Sequence, residues 1–212
     1  MTTRLSDLFR AILRLRLKRC DRPSAKASLD PAESELQISR IIGKISGNEL
    51  ANSEPLHSRD LQLIAELIQI YNFIEFNLRR CIELFTHVGL IEKSEKTIPM
   101  AHLSRVALGA ISRVEGGGPW ESHLQEIELH RERRNDLAHW AARRIIGEDA
   151  LLILTMNPAE TKKRIAQPAD HMHSAHGVML LKDLEWLVQR LSQYDRMLAE
   201  ATSLWHIRYT EG

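Results

Sequence analysis

The chain of 212 residues, with 43% hydrophobic and 27% charged side chains, has the composition of one folded domain, which excludes disorder throughout. Its formal net charge of +1 excludes a partner chosen by overall charge, so any electrostatic recognition must depend on a local patch. Cys20 and Cys81 are too few and too far apart for a disulfide framework or a thiolate zinc finger, which favours a cytoplasmic protein.

Residues 1–26 form a basic amphipathic segment that predicts an N-terminal helical arm. On a helix, Leu5 and Leu8 lie on one face and Arg10 and Arg14 on the other. Arginines interrupt the apolar stretch and no cleavage site follows, so the segment does not resemble a secretory signal. We expect the arm to dock on the body of the protein or to contact RNA phosphates; a membrane-surface helix and a transit peptide are the alternatives. No apolar run is long enough to span a bilayer, so no stable membrane insertion is expected.

Residues 31–212 predict a helical domain. Pro31 and the acidic residues after it are typical of the start of a helix, predicted over 31–46. A long helix follows, capped by Ser58 or Asp60. Its periodic apolar positions are Leu61, Ile64, Leu67, Tyr71, Ile74, Leu78, Ile82 and Phe85. A shorter helix is predicted near 100–114.

The stretch EGGGPW (115–120) ends this shorter helix. Its three glycines suggest a phosphate-binding loop, but no Gly-Lys-Ser/Thr follows and no strand precedes, so we interpret it as a flexible connector. Pro119 is expected at the first position of the next helix, which is predicted to continue to about Arg144. The predicted inward stripe of this helix is Leu124, Ile127, Arg131, Arg134, Ala138, Ala141 and Ile145.

Two continuous apolar runs of strand-like length follow, ALLILTM (150–156) and GVMLL (177–181). The polar, proline-containing segment between them predicts a β-hairpin insert near 150–181 with a long tip. Asp183 is expected to cap a final helix. The expected fold class is therefore mainly α, an up-and-down helical bundle with a small appended β-hairpin.

The predicted helix before the hairpin carries RERRNDLAHW (131–140), with three residues suited to phosphate chemistry. Asn135 and His139 are one turn apart on one face, whereas Arg134 lies about 140° around the axis from His139. An arginine matches phosphate oxygens, a histidine transfers protons near neutral pH, and an asparagine can orient either group. Together they suffice for metal-free RNA cleavage, in which the 2′-hydroxyl attacks phosphorus, His139 transfers a proton and Arg134 neutralises developing charge.

Other basic residues have less specific interpretations. Four further arginines are expected to bind substrate phosphates or to be solvated: Arg131, Arg133, Arg143 and Arg144. His171, His173 and His176 are close in sequence, but no acidic or thiolate partner stands at a defined spacing, so no metal is expected there. No cofactor is expected either.

The stretch RNDLAH resembles the R-x(4–6)-H motif of the HEPN superfamily (higher eukaryotes and prokaryotes nucleotide-binding), and the likeness in pattern covers roughly 58–205. It implies a helical bundle that forms a homodimer with the two motifs facing each other. It also implies a metal-independent endoribonuclease of a toxin–antitoxin or defence system, with RNA as substrate and an antitoxin or regulator as partner. Arg134 and His139 would be the catalytic pair and Asn135 would occupy the polar slot. Ala141 stands where one toxin subgroup has a modified tyrosine, so the resemblance implies no regulation of that kind.

Two other functions are compatible with the sequence. The first is a non-catalytic HEPN-like module that binds a nucleotide, RNA or a protein through the same polar groove and depends on Arg134. The second is a helical adaptor that interacts through residues 1–26 and the hairpin.

Overall fold

The computed structural model describes residues 31–92, 98–114, 117–155 and 175–210. These residues form five helices and four strands. In chain order the elements are α1 (Pro31–Ile45), β1 (Ser53–Glu54), α2 (Ser58–His87), α3 (Met100–Ile111), α4 (Trp120–His139), β2 (Ala141–Ile145), β3 (Ala150–Thr155), β4 (Ala175–Leu180) and α5 (Leu181–Thr210).

The fold is mainly helical with a small antiparallel sheet, which confirms the predicted mainly-α class. The predicted arm over 1–26 lies outside the described residues, as do His171 and His173 of the predicted hairpin tip. His176 belongs to β4. None of the helices in the described part of the chain has an apolar stretch of the length that a bilayer requires.

The main core lies between α2 and α5, which are 30 residues each. Their apolar residues recur at helical spacing on one face, so one continuous stripe on each helix is removed from water. The two helices run in the same direction. Arg59 donates to Glu185 (3.0 Å) near their first turns, and the rings of Phe85 and Trp205 lie 5.6 Å apart near their last turns.

Helix α4 runs opposite to α5. Trp120, its first residue, lies with its ring centroid 6.2 Å from that of Trp205, and His130 lies 6.0 Å from Trp186, nearer the start of α5. The C-terminal end of α4 therefore reaches the end of the molecule where α5 begins and where the sheet lies.

The sheet has the strand order β1-β2-β3-β4, with every pair antiparallel. Strands β3 and β4 form the predicted hairpin, in which Leu152 pairs with Val178. The sheet is wider than expected, because β1 and β2 add to the edge of β3. Helix α1 packs against the sheet at β4. Its bounds agree with the prediction to within one residue. The second core cluster that α1 and the sheet form is Ile41, Ile45, Ile145, Ala150, Leu152 and Leu180.

The prediction that α4 continues to Arg144 is wrong, because the helix ends at His139. Trp140 donates the last helical hydrogen bond, to Asp136 (2.9 Å), and its own backbone is extended. The next five residues form β2. Ala141 and Ile145 therefore belong to the sheet rather than to an inward stripe of α4, and strand pairing with β3 decides their conformation against the local helical pattern.

The structure refines the predictions for the first turns of α2 and α5 and for one apolar position. Asp60 is the third residue of α2 and accepts a hydrogen bond from the backbone of His57 (2.8 Å), so it caps the helix from within. Asp183 is not a cap, since α5 begins at Leu181; its carboxylate accepts from the Ser34 hydroxyl (3.0 Å) and ties α1 to α5. Leu61, predicted in the core, is 54% exposed.

One glycine of the predicted connector before α4, Gly117, lies very close to the end of α3. A Cβ atom added to Gly117 would stand 1.7 Å from the carbonyl oxygen of Ile111, which is the last residue of α3. Because backbone atoms cannot yield to this clash, Gly117 is required for the chain to pass the end of α3. Pro119 has a helical backbone, and α4 begins one residue later than predicted.

Candidate functional site

The candidate site lies in the last two turns of α4, where this helix meets α2 and the sheet. Arg134 is half-buried and points its guanidinium between two asparagines. Its Nη2 donates to Oδ1 of Asn72 on α2 (3.2 Å), and its Nη1 donates to Oδ1 of Asn135 on α4 (3.2 Å). These two contacts fix the guanidinium fork from both sides, so less side-chain freedom remains to be lost on binding an anion.

The bond to Asn135 joins Arg134 to the residue that is only about 40° around the axis from His139 on an ideal helix. His139 is exposed and ends the helix. No hydrogen bond joins Arg134 to His139 within the part of the chain that the structure describes; the partners of the guanidinium are Asn72 and Asn135.

One donor of Arg134 has no partner. Its Nε is buried, and among the described residues it is the one buried side-chain nitrogen or oxygen without a hydrogen bond. An unpaired buried donor costs free energy, and such atoms in native proteins call for an explanation. Because the Nε is enclosed by protein, an anion would approach the guanidinium at its terminal nitrogens, each of which has a second hydrogen to donate beyond its bond to an asparagine.

An ion pair and a buried tyrosine lie near Arg134, one to two turns earlier on α4. Arg131 donates to Glu128 (2.7 Å) one turn earlier on the same helix. The Tyr71 hydroxyl donates to the carbonyl of Ile127 (2.8 Å), and burial raises the pKa of Tyr71, helped by the nearby Glu128. Tyr71 is thus a protonated structural link between α2 and α4, not a group that exchanges protons near neutral pH.

Arg143 and Arg144, which the sequence predicts to bind substrate phosphates or to be solvated, both make hydrogen bonds within the fold. Arg143 donates from Nε to the Ser53 hydroxyl (2.8 Å) and so connects β2 to β1. Arg144 donates to the fully buried Asp60 (2.7 Å) and to Asp149 (2.6 Å). Arg133, by contrast, is exposed on α4.

Removing Arg144 is expected to destabilise the protein. In Arg144→Ala the Asp60 carboxylate would stay buried without its cation, which typically costs about 3 kcal/mol. The free energy of unfolding from urea denaturation measures this loss. Arg133→Ala removes the same charge from an exposed position and should change that free energy by less than about 0.5 kcal/mol; equal effects of the two changes would contradict the structural role of Arg144.

A second polar cluster lies on the side of α4 that faces α5. Glu126 accepts from Arg190 (2.9 Å) and from the Tyr194 hydroxyl. Burial alone would raise the pKa of Glu126, but these hydrogen bonds outweigh it and lower the pKa. Burial also lowers the pKa of His130, so this ring is neutral near neutral pH. The cluster joins two helices and is turned away from the His139 face.

An open pocket of about 600 Å³ begins at His139. The turn after α1, the start of β2 and the end of β3 line it: Gly47, Asn48, Glu49, Leu50, His139, Trp140, Ala141, Leu154 and Thr155. Neither this pocket nor the role of Asn72 is predicted from the sequence, because both arise from contacts between residues that are far apart in the chain. The described residues contain no group of three His, Cys, Asp or Glu side chains that could hold a metal ion.

Comparison of the chain with family models, curated proteins and solved structures gave no significant match in any of the three. The HEPN resemblance therefore depends on the residues of the motif and on the pattern around it. Any function has to be inferred from the arrangement of Arg134, Asn135, His139 and the adjoining pocket.

Proposed function

We propose that this protein is a metal-independent endoribonuclease of the HEPN type that acts as a homodimer. The observation that carries the proposal is the Arg134 guanidinium, held by Asn72 and Asn135 in the last two turns of α4, which ends at the exposed His139. A cation for phosphate and an accessible imidazole near the same helix end are the minimum that this reaction needs.

In the proposed reaction, the 2′-hydroxyl of one nucleotide attacks the adjacent phosphorus and the bond to the 5′-oxygen breaks. His139 accepts the proton of the 2′-hydroxyl, and His139 of the second copy donates a proton to the departing oxygen. Arg134 stabilises the negative charge that builds up on the phosphate oxygens, and Asn135 orients the guanidinium. The products are a 2′,3′-cyclic phosphate and a 5′-hydroxyl.

A second copy is favoured by exposed apolar surface next to a residue that holds Arg134. Phe76, one turn beyond Asn72 on α2, is 51% exposed. This side chain would be covered if two copies met at the site. The proposed biological role, a toxin or defence effector controlled by an antitoxin or other regulatory protein, comes from the family resemblance.

The purified protein is expected to cleave a mixed RNA in the presence of EDTA, because no step uses a metal. The ends produced should be 2′,3′-cyclic phosphate and 5′-hydroxyl, and a DNA of the same sequence should remain intact because it lacks the attacking group. Gel analysis with end-group mapping measures both outcomes. Cleavage that requires a divalent cation, or that is equal on DNA, would contradict the mechanism.

A second candidate is a non-catalytic module that binds RNA or a nucleotide through the same residues. It is favoured by the absence of a hydrogen bond between Arg134 and His139 among the described residues. Such a module would bind RNA with an affinity that falls as salt rises, and it would release no product at any protein concentration.

A further inference from the structure

The pocket beside His139 adds a feature that the motif does not contain. It is large enough for a small ligand, at about 600 Å³, and it opens next to the residue proposed to transfer protons. We propose that this pocket binds the nucleobase of a nucleotide adjoining the cleaved phosphate, which would make the cleavage base-selective. This inference rests on the proposed function for the position of the phosphate, but the pocket itself can be tested without cleavage.

The lining chemistry favours a base over a phosphate. Trp140, Leu50 and Leu154 provide aromatic and apolar surface, against which the face of a base can stack or pack. Asn48 and Glu49 provide an amide and a carboxylate, groups that recognise the donors and acceptors on a base edge. The described lining contains no lysine or arginine, so the charged part of a nucleotide is better placed outside the pocket, towards Arg134.

The wall that carries Asn48 and Leu50 is held in place by the backbone. Gly47 has a positive φ of 79°, which allows the turn after α1, and the Asn48 amide donates to the Ile45 carbonyl (3.0 Å). The Ser53 amide and hydroxyl both donate to the carbonyl of Leu50 (3.2 and 2.9 Å). A wall fixed in this way needs little reorganisation to receive a flat ligand.

The arginine that closes this wall is Arg143. It donates to the hydroxyl of Ser53 and so connects the turn to β2, directly after the His139–Ala141 edge of the pocket. Arg143 thus joins β2, whose first residue lines the pocket, to β1. The end of α4 and the turn after α1 are positioned relative to each other through this contact and the strand pair β1–β2.

The test measures binding of the four 5′-mononucleotides to the whole protein by titration calorimetry. At least one of them is expected to bind with a dissociation constant below about 10 mM. Leu50→Gln leaves the net charge of the protein unchanged and replaces an apolar side chain of the pocket wall by a polar one. It should weaken nucleotide binding by about fivefold or more. Leu50 is 64% exposed, so the change should not affect folding.

Leu204→Gln is the matched control. Leu204 is 67% exposed and adjoins Trp205, which lies beside Trp120 at the opposite end of α4 from His139. Its change should leave nucleotide binding unaltered. Binding of none of the four nucleotides, or equal weakening in both variants, would overturn the pocket assignment.

Cleavage mapping separates this inference from the proposed function. A protein that cleaves RNA without base preference and fails to bind nucleotides retains the nuclease function and loses the pocket. A protein that binds nucleotides through Leu50 but never cleaves RNA retains the pocket and loses the nuclease function. Base-selective cleavage that relaxes in Leu50→Gln, but not in Leu204→Gln, supports both.

Discussion

Replacing His139 by alanine is expected to lower the rate of RNA cleavage by about 10²- to 10⁴-fold, the usual contribution of a positioned proton-transfer group. The change removes the imidazole at the exposed end of α4. Arg134 and its two partners, Asn72 and Asn135, stay in place. RNA binding should therefore persist while turnover is lost. Single-turnover cleavage with saturating protein measures the rate without the contribution of affinity.

His206→Ala is a suitable control, because this histidine is also exposed but lies on α5, far along the helix from the His139 end. It should cleave at the native rate, and both variants should unfold at the native temperature, since neither side chain is buried. Native cleavage by His139→Ala would show that another group transfers the proton and that the motif has been misassigned.

The helices could be predicted from the sequence because their apolar residues recur on one face over many turns. Tyr71, Ile74 and Leu78 belong to such a repeat in α2, and each is buried in the main core. Leu61 is apolar yet exposed, because it lies about 100° around α2 from the buried Asp60 and so falls outside the buried stripe. Strand β3 was also predictable, since its first five residues form a continuous apolar run.

The second strand, β2, was not predictable from local sequence. Its residues AARRI continue the helical pattern of α4, and two arginines in succession resemble a solvated helix end. What makes it a strand is pairing with β3 and β1, together with the partners of its arginines, Asp60 and Ser53. These partners lie 84 and 90 residues earlier in the chain. No local rule contains that information, and the same is true of the pocket that β2 helps to form.

The candidate site was predictable in its residue types but not in its arrangement. Helical spacing places Asn135 and His139 on one face and Arg134 away from it, so the sequence leaves open how the arginine reaches them. The structure answers this for Asn135, to which Arg134 donates, and adds Asn72 on α2 as the second partner of the guanidinium. An asparagine on the outer side of a long helix carries no local sign that it supports a guanidinium on another helix.

Replacing Arg134 by alanine is expected to lower cleavage by about 10²- to 10³-fold, the range found when one charge-stabilising donor is removed from an active site. Arg134→Lys should recover only part of this loss. Lysine keeps the charge, but one ammonium cannot reproduce a planar fork whose two terminal nitrogens donate to Asn72 and Asn135. Cleavage rates of the two variants, measured with saturating protein, give the separate contributions of charge and geometry.

Arg133→Ala distinguishes catalysis from general attraction of RNA. Arg133 is the preceding residue on α4, is exposed, and carries the same charge, so both alanine variants lose equal long-range attraction for phosphate. Raising salt should weaken binding by similar factors in the two variants, whereas the loss of cleavage rate should appear only in Arg134→Ala. Equal loss in both would mean that these arginines only concentrate RNA near the protein, and it would favour the binding module over the nuclease.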